Sequence, residues 1–171
     1  MTVDPTPAYL SSVGDKLAAD GCSPRWHNEG GTPVLIGRRS DFRVGWGATK
    51  LHLFTLAAAV PEITVPVIAD FTQHAIRYAK AHKGGLPRGL QTGVAVFPAL
   101  ISTRIDPQAV AWAEQKQRTQ FACFARPVVV DVIRRYVGVY RGSPIIGRTY
   151  ASHLLQKSDY YFSGSAFSMS A

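Results

Sequence analysis

The chain has 171 residues, 46% of them hydrophobic and 18% charged, enough apolar material for one core and a composition that excludes a disordered or fibrous protein. Nineteen Lys and Arg against eleven Asp and Glu leave a formal net charge of +8, which favours contact with polyanions such as nucleic acid, or with an acidic protein partner. The longest apolar run, Leu51 to Val60, contains His52 and Thr55 and is far below the ~18 residues of a membrane span. The opening MTVDPTPAYL lacks the basic and apolar segments of a signal peptide, so a cytoplasmic protein with no membrane contact is expected.

From Thr6 the pattern is helical: Pro7 falls in the first turn, Tyr9, Leu10, Val13 and Leu17 share a face, and Gly21 is the stop. Glycine and proline punctuation follows, then the β-type runs VLIGRR, FRVGW and KLHLFTLAA, which predict an antiparallel meander. Its turns fall around Arg39-Ser40-Asp41 and Gly47-Ala48-Thr49. The last strand is apolar on both faces and therefore central. A helix is expected from Thr64 to His82, with Pro66 in its first turn and Val67, Phe71, Ala75 and Tyr78 as its buried face. TGVAVFPALIST reads as a strand in which Pro98 marks a bulge or an edge. Asp106-Pro107 opens a short helix. The runs FACFA, VVVDVI and YVGVY are further strands, and a last helix begins near Gly147 and presents Tyr150, Leu154 and Leu155. Neither repeat nor linker interrupts this order. The expectation is a single α+β domain over residues 1–162 with a mixed, mainly antiparallel sheet, followed by a flexible Ser-rich tail at 163–171.

The segment KAHKGGLPRGLQTG, Lys80 to Gly93, gathers Lys80, Lys83, Arg88 and four glycines. Up to Pro87 a helix end explains it: cations in the last turn, a left-handed glycine at Gly84, then breakers. A nucleotide-phosphate loop precedes its helix, whereas this segment follows one and lacks the GxxxxGK[ST] spacing. Neither a GxSxG elbow nor an SxxK motif is present. Cys22 and Cys123 are expected as free thiols, without zinc spacing. No metal centre or cofactor is expected.

The acids are spread thinly, no two within four residues of each other. Asp131 interrupts VVVDVI: the preferred reading is an edge strand from which it points at water, and it becomes a site candidate only if that strand is buried on both faces. His52 shares a strand face with Lys50, Phe54 and Leu56, a face graded from charged to apolar. Asp70 and His74 stand four apart on a helix, and His27 lies beside Trp26 and near Glu29. The order helix, three strands, helix, strand from Thr6 to Thr103 resembles the common core of the PD-(D/E)xK nuclease-like superfamily. That resemblance implies an acid ending the second strand, matched by Asp41, and an ExK-type pair on the third, where Lys50 stands. The first position of the pair holds Ala48 or Thr49, so a metal ligand is missing and metal-dependent cleavage is not implied.

The basic residues carry more. Arg38, Arg39 and Arg43 surround one expected turn, Arg134 and Arg135 another, and Arg141 and Arg148 flank GSPIIG, with Trp46, Tyr136, Tyr140 and Tyr150 nearby. Arginines interleaved with aromatics suit single-stranded nucleic acid, through phosphate contact and base stacking. The expected function is non-catalytic polyanion binding through Arg38, Arg39, Lys83, Arg88, Arg134 and Arg135. The alternatives are a self-assembling subunit, in which apolar strands and YYF join copies into a homo-oligomer, and an enzyme using His52, Asp131 or Asp41.

Overall fold

The computed structural model describes residues 3–43, 49–84, 92–117, 123–142 and 148–168. Within them lie the helices α1 (Thr6–Ala19), α2 (Val65–His82), α3 (Pro107–Glu114), α4 (Arg148–Phe162) and a short α5 (Ser165–Ser168). The strands are β1 (Arg25–Glu29), β2 (Thr32–Arg43), β3 (Thr49–Ala59), β4 (Thr92–Ser102), β5 (Cys123–Ala125), β6 (Val128–Asp131) and β7 (Tyr136–Gly138). They form one open sheet in the order β1-β2-β3-β4-β6-β7, with β5 also paired to β4. Strands β1, β2 and β3 run antiparallel, β4 is parallel to β3, β5 and β6, and β7 returns antiparallel to β6. This is the α+β class with a mixed sheet that the pattern predicts.

Helices cover both faces. Alternation along β3 sends Leu51, Leu53 and Ala57 toward α1, α4 and α5, and Phe54, Leu56 and Ala58 toward α2 and α3. That is why its sequence is apolar throughout. Each Leu or Phe so buried contributes about 1.5–3 kcal/mol of transfer free energy. The local stops act as expected: Gly21 takes φ 81°, and Cys22 N donates to Leu17 O at 2.9 Å. Asp106 caps α3 by accepting from Gln108 N at 2.9 Å. No helix among the described residues is long and apolar enough to cross a membrane.

Four expectations are corrected. The segment Arg39-Ser40-Asp41 is not a turn but the middle of β2, laddered to Leu53, His52 and Leu51. Its polar residues alternate between faces and find partners on each, so they read as a turn only when taken as a cluster. The reversal falls instead at Gly30-Gly31, with φ 55° and 92°, and it creates β1, which the apolar runs did not announce. On α2 the buried residues are Ile68, Thr72, Ala75, Ile76 and Ala79, while Val67 is exposed and Phe71 and Tyr78 are half-buried. The helix rests its smaller side chains on the sheet and leaves the large rings at the flank. Pro98 is on neither an edge nor a bulge but in the central β4, opposite Leu56. Val96 O accepts from Arg126 N at 2.9 Å. By alternation the nitrogen of Pro98 faces the same side, where the break between β5 and β6 needs no donor. Finally, the tail is ordered through α5: Ala166 and Phe167 are buried, and the Phe167 ring lies 5.0 Å from that of Tyr9.

Candidate functional site

Where β3 and β4 begin and α2 ends, four side-chain positions line up across the sheet: Ser40, His52, Val94 and Cys123. His52 is 4% exposed. Its Nδ1 lies 2.7 Å from Ser40 Oγ and 3.3 Å from Arg38 Nη2. A guanidinium only donates, so Nδ1 accepts and the ring proton sits on Nε2. That N–H is buried and has no hydrogen-bond partner among the described residues. Burial, then the charges of Arg38, Lys50 and Lys83, hold the His52 pKa below its ordinary range, so the ring is neutral.

Arg38 closes the carboxyl end of α2. Its Nη1 donates to His82 O at 2.7 Å and its Nη2 to Lys83 O at 3.1 Å, while the guanidinium lies 5.1 Å from the Phe54 ring centroid. It satisfies carbonyls that a helix end leaves open and offsets the negative end of the dipole. Lys80 and His82 occupy the last turn and Gly84 has φ 78°, as the sequence implies. Arg88 falls outside the described residues, as do Trp46 and the side chains of Arg43 and Arg148. Among the described residues no acid pairs with Arg38, Lys50 or Lys83. Cys123 is separated from His52 by Val94, and burial pushes its thiol up to about 11, so the two do not form a nucleophile–base pair.

Asp131 lies at the other end of β4, paired with Ser102. The eight residue steps from Val94 to Ser102 span roughly 26 Å at about 3.3 Å per residue. The expectation of an edge strand is corrected: β6 lies between β4 and β7 and Asp131 is buried, but its oxygens are taken, with Oδ1 accepting from Ile133 N at 3.0 Å and Arg134 N at 2.9 Å, and Oδ2 from Arg134 Nη1 at 2.9 Å. It builds the turn between β6 and β7, where Arg135 takes φ 56°. Arg134 and Arg135 are therefore exposed at a corner far from Arg38 and Lys83.

Arg39 and Asp41 occupy the opposite face of β2, under α4. Arg39 Nε and Nη2 grip Asp41 at 2.7 and 2.5 Å, and Nη1 reaches Asp20 Oδ2 at 2.6 Å. Lys157 Nζ donates to Asp20 at 2.7 Å, Tyr161 OH at 2.5 Å, and His153 Nε2 stands 3.3 Å from Asp41 Oδ2. Burial raises both carboxylates. For Asp20 the hydrogen bonds of Lys157, Tyr161 and Arg39 outweigh it, for Asp41 those of Arg39 and His153, so both pKa values lie below the usual carboxylate range. The acid that a nuclease-like core would offer to a metal is here held on both oxygens by an arginine. Among the described residues no group of three or more His, Cys, Asp or Glu is arranged to hold a metal ion. The chemistry of this cluster is that of a tie between α1, β2 and α4.

Sequence reasoning missed Asp20, His153, Lys157 and Tyr161. One signal was present: His153, Lys157 and Tyr161 recur every four residues, a polar stripe along α4. His27 and His74 meet over Glu29, at 2.9 and 3.6 Å, on the far flank, and Asp70 is exposed. The aromatics near the arginines are engaged: Tyr136 OH bonds Glu114, Tyr140 lies under Arg126, and Tyr150 packs on Phe124. Arg141 pairs with Asp159 at 2.8 Å. The chain matches no family model, no curated protein and no solved structure.

Proposed function

We propose that this chain is a cytoplasmic, non-catalytic binding protein whose cationic sheet end meets a polyanion, nucleic acid being the polyanion its chemistry favours. The observation that carries this reading is the gathering of Arg38, Lys50 and Lys83 around buried, neutral His52 without a paired acid among the described residues. Uncompensated charges at one edge focus a positive potential on it. A further feature supports the reading: Arg38 covers the carbonyls of α2 that would repel an anion. Arg39 is withdrawn from the expected set by Asp20 and Asp41, and Arg134 and Arg135 belong to a separate corner.

The test is fluorescence anisotropy of labelled oligonucleotides across a salt series. Each lysine that contacts a phosphate steepens the log–log salt slope by about 0.7–0.9. The Lys50→Ala, Lys83→Ala double variant is expected to reduce that slope by roughly 1.5, whereas Arg134→Ala with Arg135→Ala leaves it unchanged. Absence of binding at low salt refutes the reading.

A further inference from the structure

Beside this cationic edge a cavity of about 270 Å³ opens between the start of β1, β2 and the end of α2. Its walls include Arg25, Arg38, Phe54, Tyr78 and His82, and among the described residues that line it none is a carboxylate. The Tyr78 and His82 rings stack at 3.9 Å, 17° from parallel, and His82 Nδ1 donates to Tyr78 O at 2.8 Å, which fixes the imidazole plane. Phe54 braces Tyr78 edge-on at 6.2 Å and supports the Arg38 guanidinium from below. Arg25 is exposed on the edge strand and makes no ion pair among the described residues.

Fixed aromatic planes next to two guanidinium groups suit a ligand that is a planar ring at one end and an anion at the other. The volume is just under the ~300 Å³ at which ligand pockets usually begin, which suits one ring rather than a stretch of polymer. We propose that this cavity takes a single unpaired nucleotide of the bound polyanion, its base against Tyr78 and His82 and its phosphate against Arg25 and Arg38. This rests on the polyanion reading and deepens it to single-stranded nucleic acid. In a duplex the bases are stacked and paired, and a flat aromatic wall cannot reach them without extrusion.

The closing experiment compares single- and double-stranded oligonucleotides of one sequence by anisotropy at one low salt concentration. The wild-type chain is used beside Arg25→Gln, His82→Ala and the Lys50→Ala, Lys83→Ala variant. The expected result is single-strand binding at least tenfold tighter than duplex binding. Arg25→Gln and His82→Ala, both at exposed positions, should shrink that ratio toward one. The lysine variant should weaken both ligands and keep the ratio. Equal affinity for the two strand states, or a ratio untouched by Arg25→Gln and His82→Ala, overturns the nucleotide pocket and leaves the polyanion reading standing. No binding of either oligonucleotide overturns both.

Discussion

Replacing Arg39 by Met keeps the stem that packs under α4 and deletes the charge that bridges Asp20 and Asp41. Among the described residues Asp41 then retains only His153 at 3.3 Å, while Asp20 keeps Lys157 and Tyr161. Breaking a buried pair by removing one partner costs about 3–5 kcal/mol. The side chains here are 15–22% exposed and Lys157 still serves one acid, so the lower end applies, about 3 kcal/mol. For a domain of this size that corresponds to a fall in Tm of roughly 6–12 °C. The sign of the pH dependence is also set. Carboxylates held below the ordinary value of about 3.9 add stability that is complete above that value and lost as pH falls through their native pKa. Without Arg39 both carboxylates lose a group that holds their pKa down, Asp41 most of all, so both pKa values rise from their native position and acid costs the variant less than it costs the wild type. Urea unfolding at pH 7 and pH 3 measures both. A difference below 1 kcal/mol at pH 7, or one that does not narrow at pH 3, would refute the argument that this network ties α1, β2 and α4 together.

Phe167→Ala should cost about 3 kcal/mol in chemical denaturation, since a buried Phe truncated to Ala leaves a cavity against Tyr9; a cost near zero would return α5 to the status of a loose tail. Asp131→Asn, which keeps the acceptor for Ile133 N and Arg134 N, should be tolerated within about 1 kcal/mol, while Asp131→Ala should lose about 2; equal losses would show that the ion pair, not the turn, matters. Because the native His52 pKa is depressed, the unfolded chain takes up a proton below about pH 6.5 that the native ring does not. Stability should therefore decline from pH 7 to pH 5, and decline less in His52→Gln, as read by urea midpoints. With Cys123 up at about 11 and Cys22 also raised by burial, neither thiol should react with a thiol reagent at pH 8 until denaturant is added.

Helix positions, caps and the covered central strand were legible in the sequence because they depend on neighbours within a turn or two. Gly21 and Asp106 act through hydrogen bonds that span no more than five residues, Pro107 through a fixed φ that suits the first helical turn, and the two-sided apolar run of β3 carries its burial in its own letters. Val67 and Phe71 were misread because helical spacing defines a face only to within a sector, and the sheet beneath chooses which sector it accepts. The short, polar β1 was illegible for a related reason: an edge strand has little apolar content and exists through its ladder to β2.

The candidate site divides in the same way. The sequence alone determined that a net charge of +8 had to leave cations somewhere on the surface, and that Lys83 closes a helix beside them. Only the tertiary structure decided which cations lie together. Register set His52 beside Ser40 and Arg38, the length of β4 separated Lys83 from Arg134, and α4, more than a hundred residues downstream, joined His153 and Lys157 to the acids that neutralise Arg39. Local pattern reports which face a residue can occupy, but charge compensation acts through space, and distances across a sheet are fixed by strand order and register rather than by separation along the chain.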